Sequence, residues 1–118
     1  MAATSASELA LVLTTLGADT DAAALARTLV EERLAACANV VPGVVSIYRW
    51  EGAIETAEER LLLLKTRAAL VERLAERLIG LHPYAVPEVL SLEVDRGAAA
   101  YLAWVAEETV VEESDGAG

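Results

Sequence analysis

The sequence predicts an α+β fold: a ferredoxin-like βαββαβ plait with a long central hairpin and an extra C-terminal helix. Three observations point there. Two segments with helical apolar spacing, 19–36 and 67–81, each follow an apolar run of strand length. Between them, 37–50 is rich in β-branched and aromatic residues and meets a return segment, 53–66, across Glu51-Gly52. Finally, Pro83 and Pro87 force the chain from a helix exit straight into an extended run.

Each element has a local reason. Leu9, Leu11, Val12 and Leu13 form a short apolar run bounded by Gly17, a buried first strand. Asp19 and Thr20 are N-cap candidates for the first helix. Its inward stripe is Ala22, Leu25 or Ala26, Leu29 or Val30, and Leu34, with the helix continuing to residue 36. Pro42-Gly43 interrupts the long strand, so a bulge or an unpaired edge position is expected there. In the return strand, Leu61, Leu62, Leu63 and Leu64 predict a second half covered on both faces. The second helix turns Leu70 or Val71, Leu74, Leu78 and Leu81 inward, and Glu72, Arg73, Glu76 and Arg77 outward. A fourth strand over 88–95 and a third helix over 98–108 complete the order. Residues 1–7 read as a disordered extension, 8–110 as a single domain and 111–118 as an acidic disordered tail.

Strand 38–50 at ~3.3 Å per residue would reach about 40 Å, whereas a compact domain of this size is about 35 Å across. A hairpin that overhangs its own core leaves unpaired edges, and a neighbouring subunit is the natural cover.

Composition narrows the function. Nineteen Asp+Glu against nine Lys+Arg, a net charge of -10, leave little from which to build a phosphate-binding patch or an anionic-membrane face. No nucleic-acid or membrane partner is therefore expected. A single Cys cannot form an internal disulfide, which fits a reducing compartment. Residues 1–10 lack the basic and apolar regions of a signal peptide, and no apolar run approaches the ~20 residues of a bilayer span. The expectation is a cytoplasmic protein. A hydrophobic content of 55% exceeds what one small core should need and points to burial between subunits.

Two stretches hold the chemistry: Pro42-Gly43-Val44-Val45-Ser46-Ile47-Tyr48-Arg49-Trp50-Glu51-Gly52-Ala53-Ile54 and His82-Pro83-Tyr84-Ala85-Val86-Pro87-Glu88. They contain the only His, together with Tyr48, Trp50 and Tyr84. With Lys65-Thr66 between them, they resemble CutA, the divalent-cation-tolerance family, from about Leu9 to Thr109. The resemblance implies a non-enzymatic homotrimer, joined by inter-subunit strand pairing and involved in the response to metal ions, with copper or zinc bound weakly and no cofactor required. CutA trimers look like the PII signalling proteins in architecture. That likeness implies an alternative function, a small-molecule sensor with ligand clefts between subunits.

Candidate residues carry two readings each. Cys37 is a thiolate donor for copper or zinc, or a small buried hydrophobe. His82 is an imidazole ligand, or a helix-terminal residue that meets free carbonyls. Together they are two donors, and no CxxC or HxxxH spacing supplies others. Some copper-binding CutA proteins resemble this chain but carry Cys and His where it has Thr14 and Leu81, which implies only modest affinity. Trp50, Lys65, Tyr84 and Glu58 are candidates for an inter-subunit cleft, and Tyr48 and Trp50 for assembly. Against these stand an ion-pair role for Lys65, an interface role for the rings and a solvated strand for Glu58-Glu59. No GxxxxGK or GxGxxG loop is present to hold a nucleotide. A Cys/His nucleophile pair lacks a third orienting group, so no enzyme is expected.

Overall fold

The computed structural model describes residues 3–109. A 3-10 turn over Ala6–Glu8 leads into β1 (Leu9–Gly17), followed by α1 (Ala22–Glu31), β2 (Cys37–Trp50) and β3 (Ala53–Arg67). A second 3-10 turn, Ala68–Leu70, opens α2 (Val71–Leu81), and β4 (Leu90–Glu93) and α3 (Ala99–Glu108) complete the described residues. All pairings are antiparallel, in the order β2-β3-β1-β4. This is the expected plait, with the hairpin strands β2 and β3 on one side and the short β4 on the other edge. The expected tail over 111–118 lies outside the described residues, as does the start of the extension.

Strand parity sorts the leucines. Val12, Thr14 and Leu16 of β1 share a face with Leu62 and Leu64 of β3, because residues directly opposite in register point to the same side. That face packs on α1, the second 3-10 turn and α2 through Leu25, Leu29, Leu70, Leu74 and Leu78. Seven leucines (Leu16, Leu29, Leu62, Leu64, Leu70, Leu74 and Leu78) are fully buried. Each stabilises the fold by about 1.5–3 kcal/mol in transfer free energy. Thr66 ends this row by donating its hydroxyl to the Leu34 carbonyl at 2.6 Å.

The other face is only partly covered. At one end, Leu102 and Val105 of α3 pack on Leu9 and Ala36. The Arg67 guanidinium holds the helix there, with Nε donating to the Thr109 carbonyl at 3.3 Å and another nitrogen to the Ala106 carbonyl. Beyond α3, Leu11, Leu13, Leu61 and Leu63 are half-buried, and their β4 register partners Leu92 and Leu90 are about half exposed. The leucine run of β3 is thus sealed on one face and, against the expected cover on both, only partly covered on the other by the described residues.

Four boundaries differ from expectation, the first being the start of the second helix, expected at 67 and found at Val71 behind the 3-10 turn Ala68–Leu70. The N-cap of α1 is Asp21, whose carboxylate accepts from the Ala24 N–H at 3.0 Å. Asp19 and Thr20 are instead taken up by a turn that closes with Thr20 N–H on the Gly17 carbonyl at 3.0 Å. α1 ends at Glu31, five residues early, because Arg33 adopts a left-handed φ of 61° and Ala36 N–H already bonds the Lys65 carbonyl of the sheet. β4 has four residues rather than eight, since only 90–93 reach β1 in register.

The hairpin closes at Glu51 and Gly52, with φ of 50° and 84°, the positive pair that a two-residue turn matched to strand twist requires. Fourteen residues of β2 span about 46 Å at ~3.3 Å per residue. The domain accordingly measures 53 Å along its long axis, with a radius of gyration of 15.5 Å.

Candidate functional site

The bulge at Pro42-Gly43 decides which side chains meet. β2 pairs Val41 with Leu61 and then Val44 with Glu59, three steps against two. The extra residue reverses strand parity. Ser46, Tyr48 and Trp50 therefore lie on the same face as Ala57 and Glu59, rather than facing away from them. This is the open face of the sheet, at the end opposite α3.

The segment after α2 builds the facing wall. His82 ends the helix in an extended conformation. Its Nε2 lies 2.8 Å from the Thr15 carbonyl, and its Nδ1 accepts the Tyr84 backbone N–H at 3.1 Å. An accepting Nδ1 requires the proton on Nε2, which donates to Thr15. The ring of Tyr84 packs on that imidazole with centroids 4.8 Å apart. Its hydroxyl reaches across β1 to Glu59 Oε2, to which it donates at 2.6 Å. Gly17 makes the approach possible: a Cβ there would stand 3.3 Å from the Tyr84 oxygen and 3.0 Å from Asp19. Burial, and then the hydrogen bond and charge of Glu59, push the Tyr84 phenol far above its ordinary range. The hydroxyl stays a donor at any physiological pH.

Between these walls lies a cleft of about 630 Å³, a size that suits a small organic molecule. Thr15 and Glu59 form its floor. Tyr84, Ala85, Val86 and Glu88 stand on one side, and Ser46, Ile47, Tyr48 and Trp50 on the hairpin side.

Of the residues expected at a cleft, Trp50 and Tyr84 line it, and Tyr48 joins them. Glu58 does not, because its register partner Val45 lies on the opposite side of the hairpin from Ser46. Its neighbour Glu59, expected with it to lie in a solvated strand, takes that place and is buried instead. Register through the Pro-Gly bulge is the signal that finds it. Lys65 also lies elsewhere, its ammonium donating to the Asn39 side chain and standing 3.8 Å from Cys37 Sγ. Cys37 faces Lys65 across the hairpin and borders Tyr101 of α3, whose phenol is raised by burial and then by the adjacent thiol. His82 touches β1 at Thr15, whose partner on β3 is Leu61, four residues from Lys65. Cys37 and His82 are therefore not brought together. Among the described residues no group of three or more His, Cys, Asp or Glu is placed to hold a metal.

Plait, overlong hairpin and bordered cleft define a ferredoxin-like α+β protein with an open sheet face. Residues 10–108 match the family model for the CutA1 divalent ion tolerance protein, and the chain belongs to that family. It is 48% identical over 99 residues to the divalent-cation tolerance protein CutA of Thermus thermophilus, covering 84% of this chain and 96% of that one. It is 46% identical over 85 residues to human Protein CutA, covering 72% of this chain but only 48% of the human protein. Among solved structures, CutA from Xylella fastidiosa superposes with a TM-score of 0.84 at 43% identity, over 88% of this chain and all of that one. CutA1 from Oryza sativa gives 0.85 at 38% identity, over 92% of this chain and all of that one.

Proposed function

We propose that this protein acts in the tolerance of divalent cations as a non-enzymatic, cytoplasmic homotrimer. The open leucine face carries the assembly part of the reading. Leu11, Leu13, Leu61, Leu63, Leu90 and Leu92 form one apolar sheet surface that the chain's own helices cover only in part among the described residues. On the opposite face of the β2–β3 hairpin, the arm that overhangs the core, Val45, Ile47 and Ile54 are 60–69% exposed. Surfaces of this kind in water mark subunit contacts. Sedimentation of the purified chain should give about three times 12.4 kDa, and a monodisperse monomer at micromolar concentration would refute the assembly.

Copper or zinc binding is the finer part, and it is modest. Cys37 and His82 serve as separate donors, and a metal at His82 must displace one of the ring's two hydrogen bonds. Borderline and soft cations suit these donors better than magnesium or calcium. Calorimetric titration of wild type, Cys37→Ser and His82→Ala tests the assignment, which fails if neither substitution changes binding. The cleft favours a second reading, the PII-like small-molecule sensor, in which the trimer responds to an organic ligand rather than to a metal. Thermal-shift titration separates them, since a ligand stabilises only the protein that binds it.

A further inference from the structure

Glu59 is 6% exposed at the floor of the cleft. Among the described residues its side chain receives one hydrogen bond, from the Tyr84 hydroxyl, and it takes part in no ion pair. A carboxylate withdrawn from water without a cation is a costly arrangement, relieved when a positive charge arrives. The nearby arginine is committed elsewhere: Arg60 donates to the Thr20 carbonyl at 3.0 Å. Glu88 adds a second carboxylate, its Oε1 3.4 Å from the Thr15 hydroxyl. None of the ten lining residues is Lys, Arg or His. The rest of the wall is aromatic and aliphatic, and ring faces carry the negative end of their quadrupole.

We propose that the cleft binds an organic ammonium ion, with the charged nitrogen over Glu59 and the carbon substituents against Tyr48, Trp50 and Tyr84. The proposal rests on the reading of the cleft as a small-molecule site and adds the charge and character of the occupant. An anion would meet two carboxylates and no donor cation. A bare metal ion would find too few oxygen donors and an apolar wall it cannot use. An alkylated ammonium matches both halves of the site, the carboxylates by charge and the rings by cation–π attraction. The floor, Thr15 of β1 and Glu59 of β3, and the wall after α2 belong to one chain, so the carboxylate end of the site is complete in each subunit.

The test is calorimetric titration of the full chain, in the oligomeric state in which it purifies, with benzyltrimethylammonium, phenylacetate and benzyl alcohol. Saturable binding of the ammonium alone is expected. It should weaken about tenfold or more in Glu59→Gln, as happens when one partner of a desolvated charge pair is neutralised. Glu88→Gln should give a smaller loss, and Glu58→Gln, on the other side of β3, none. Because Glu59→Gln removes an uncompensated buried charge, its melting temperature should not fall. Preference for phenylacetate would overturn the ammonium assignment while leaving a small-molecule cleft. Ammonium binding unchanged in both Glu59→Gln and Glu88→Gln would place the site elsewhere and overturn it too. Binding of none of the three compounds would remove the small-molecule reading together with the proposal.

Discussion

His82 Nε2 donates to the Thr15 carbonyl at 2.8 Å, tying the exit of α2 to the far end of β1. The same ring orients Tyr84 by accepting its N–H, so one side chain sets both the helix end and a wall of the cleft. His82→Ala leaves a carbonyl and an N–H without these partners. It should destabilise the fold by about 1–3 kcal/mol in denaturant melts and should weaken copper binding in calorimetry. Full stability would show that the two hydrogen bonds are replaced by water.

Two buried threonines should respond in opposite directions to the same change. Thr66 is fully buried and bonds the Leu34 carbonyl. Thr66→Val strands that carbonyl and should lower stability by about 1–3 kcal/mol. Thr14 is equally buried, yet its hydroxyl has no partner among the described residues. Thr14→Val replaces an unpaired hydroxyl with a methyl of the same shape and should raise stability by about 1 kcal/mol. Chemical denaturation of both variants beside wild type reads the contrast. A destabilised Thr14→Val would mean that its hydroxyl does have a partner.

These threonines also show what the sequence made legible. Element order, the inward stripes of α1 and α2, the bulge and the hairpin turn all follow from local patterns, because apolar spacing and Pro-Gly placement act over a few residues. The early end of α1 was not legible. Leu34, Ala35 and Ala36 are good helix formers, and a long-range bond from Ala36 to Lys65 overrides that preference. At the cleft, Trp50 and Tyr84 stood out by residue type, but choosing Glu59 over Glu58 needs cross-strand register. His82 drew notice as the only imidazole, and only three-dimensional geometry shows both of its nitrogens occupied.

Trp50 stands at the arm's end, 47% exposed beside the turn. Trp50→Ala should weaken assembly, with truncation of such an anchor typically removing about 2–4 kcal/mol of association free energy. The sedimenting mass should fall towards that of the single chain on dilution. Unchanged mass and melting temperature would make the ring a cleft-facing residue alone.

Acid should loosen the contact between α1 and α2. Arg77 donates to both oxygens of Glu32, at 2.9 and 2.8 Å. That hydrogen bonding holds the Glu32 carboxyl below its ordinary 4.5. A folded-state value below the unfolded one stabilises at neutral pH, and the contribution disappears as pH falls through the folded value. The pair is solvent-exposed, so the effect is small. Melting temperatures from pH 7 to pH 3 should fall slightly less in Arg77→Ala than in wild type. Parallel curves would show that the pair contributes nothing.

The arm also governs how the protein is recovered from the unfolded state. Its strands are joined by a two-residue turn, so their pairing closes over short sequence separations and can precede the β1–β3 and β1–β4 pairings that complete the sheet. A chain at that stage displays a fourteen-residue outer edge, with Val and Ile on either side of the Pro42-Gly43 bulge, before any specific partner exists. Pro42 and the bulge blunt the middle of that edge, but its arm half, 44–50, is free to pair with whatever strand it meets first. Protein concentration during refolding therefore sets the division between ordered oligomer and fibrous precipitate, and high dilution followed by slow concentration is the route that favours the ordered product.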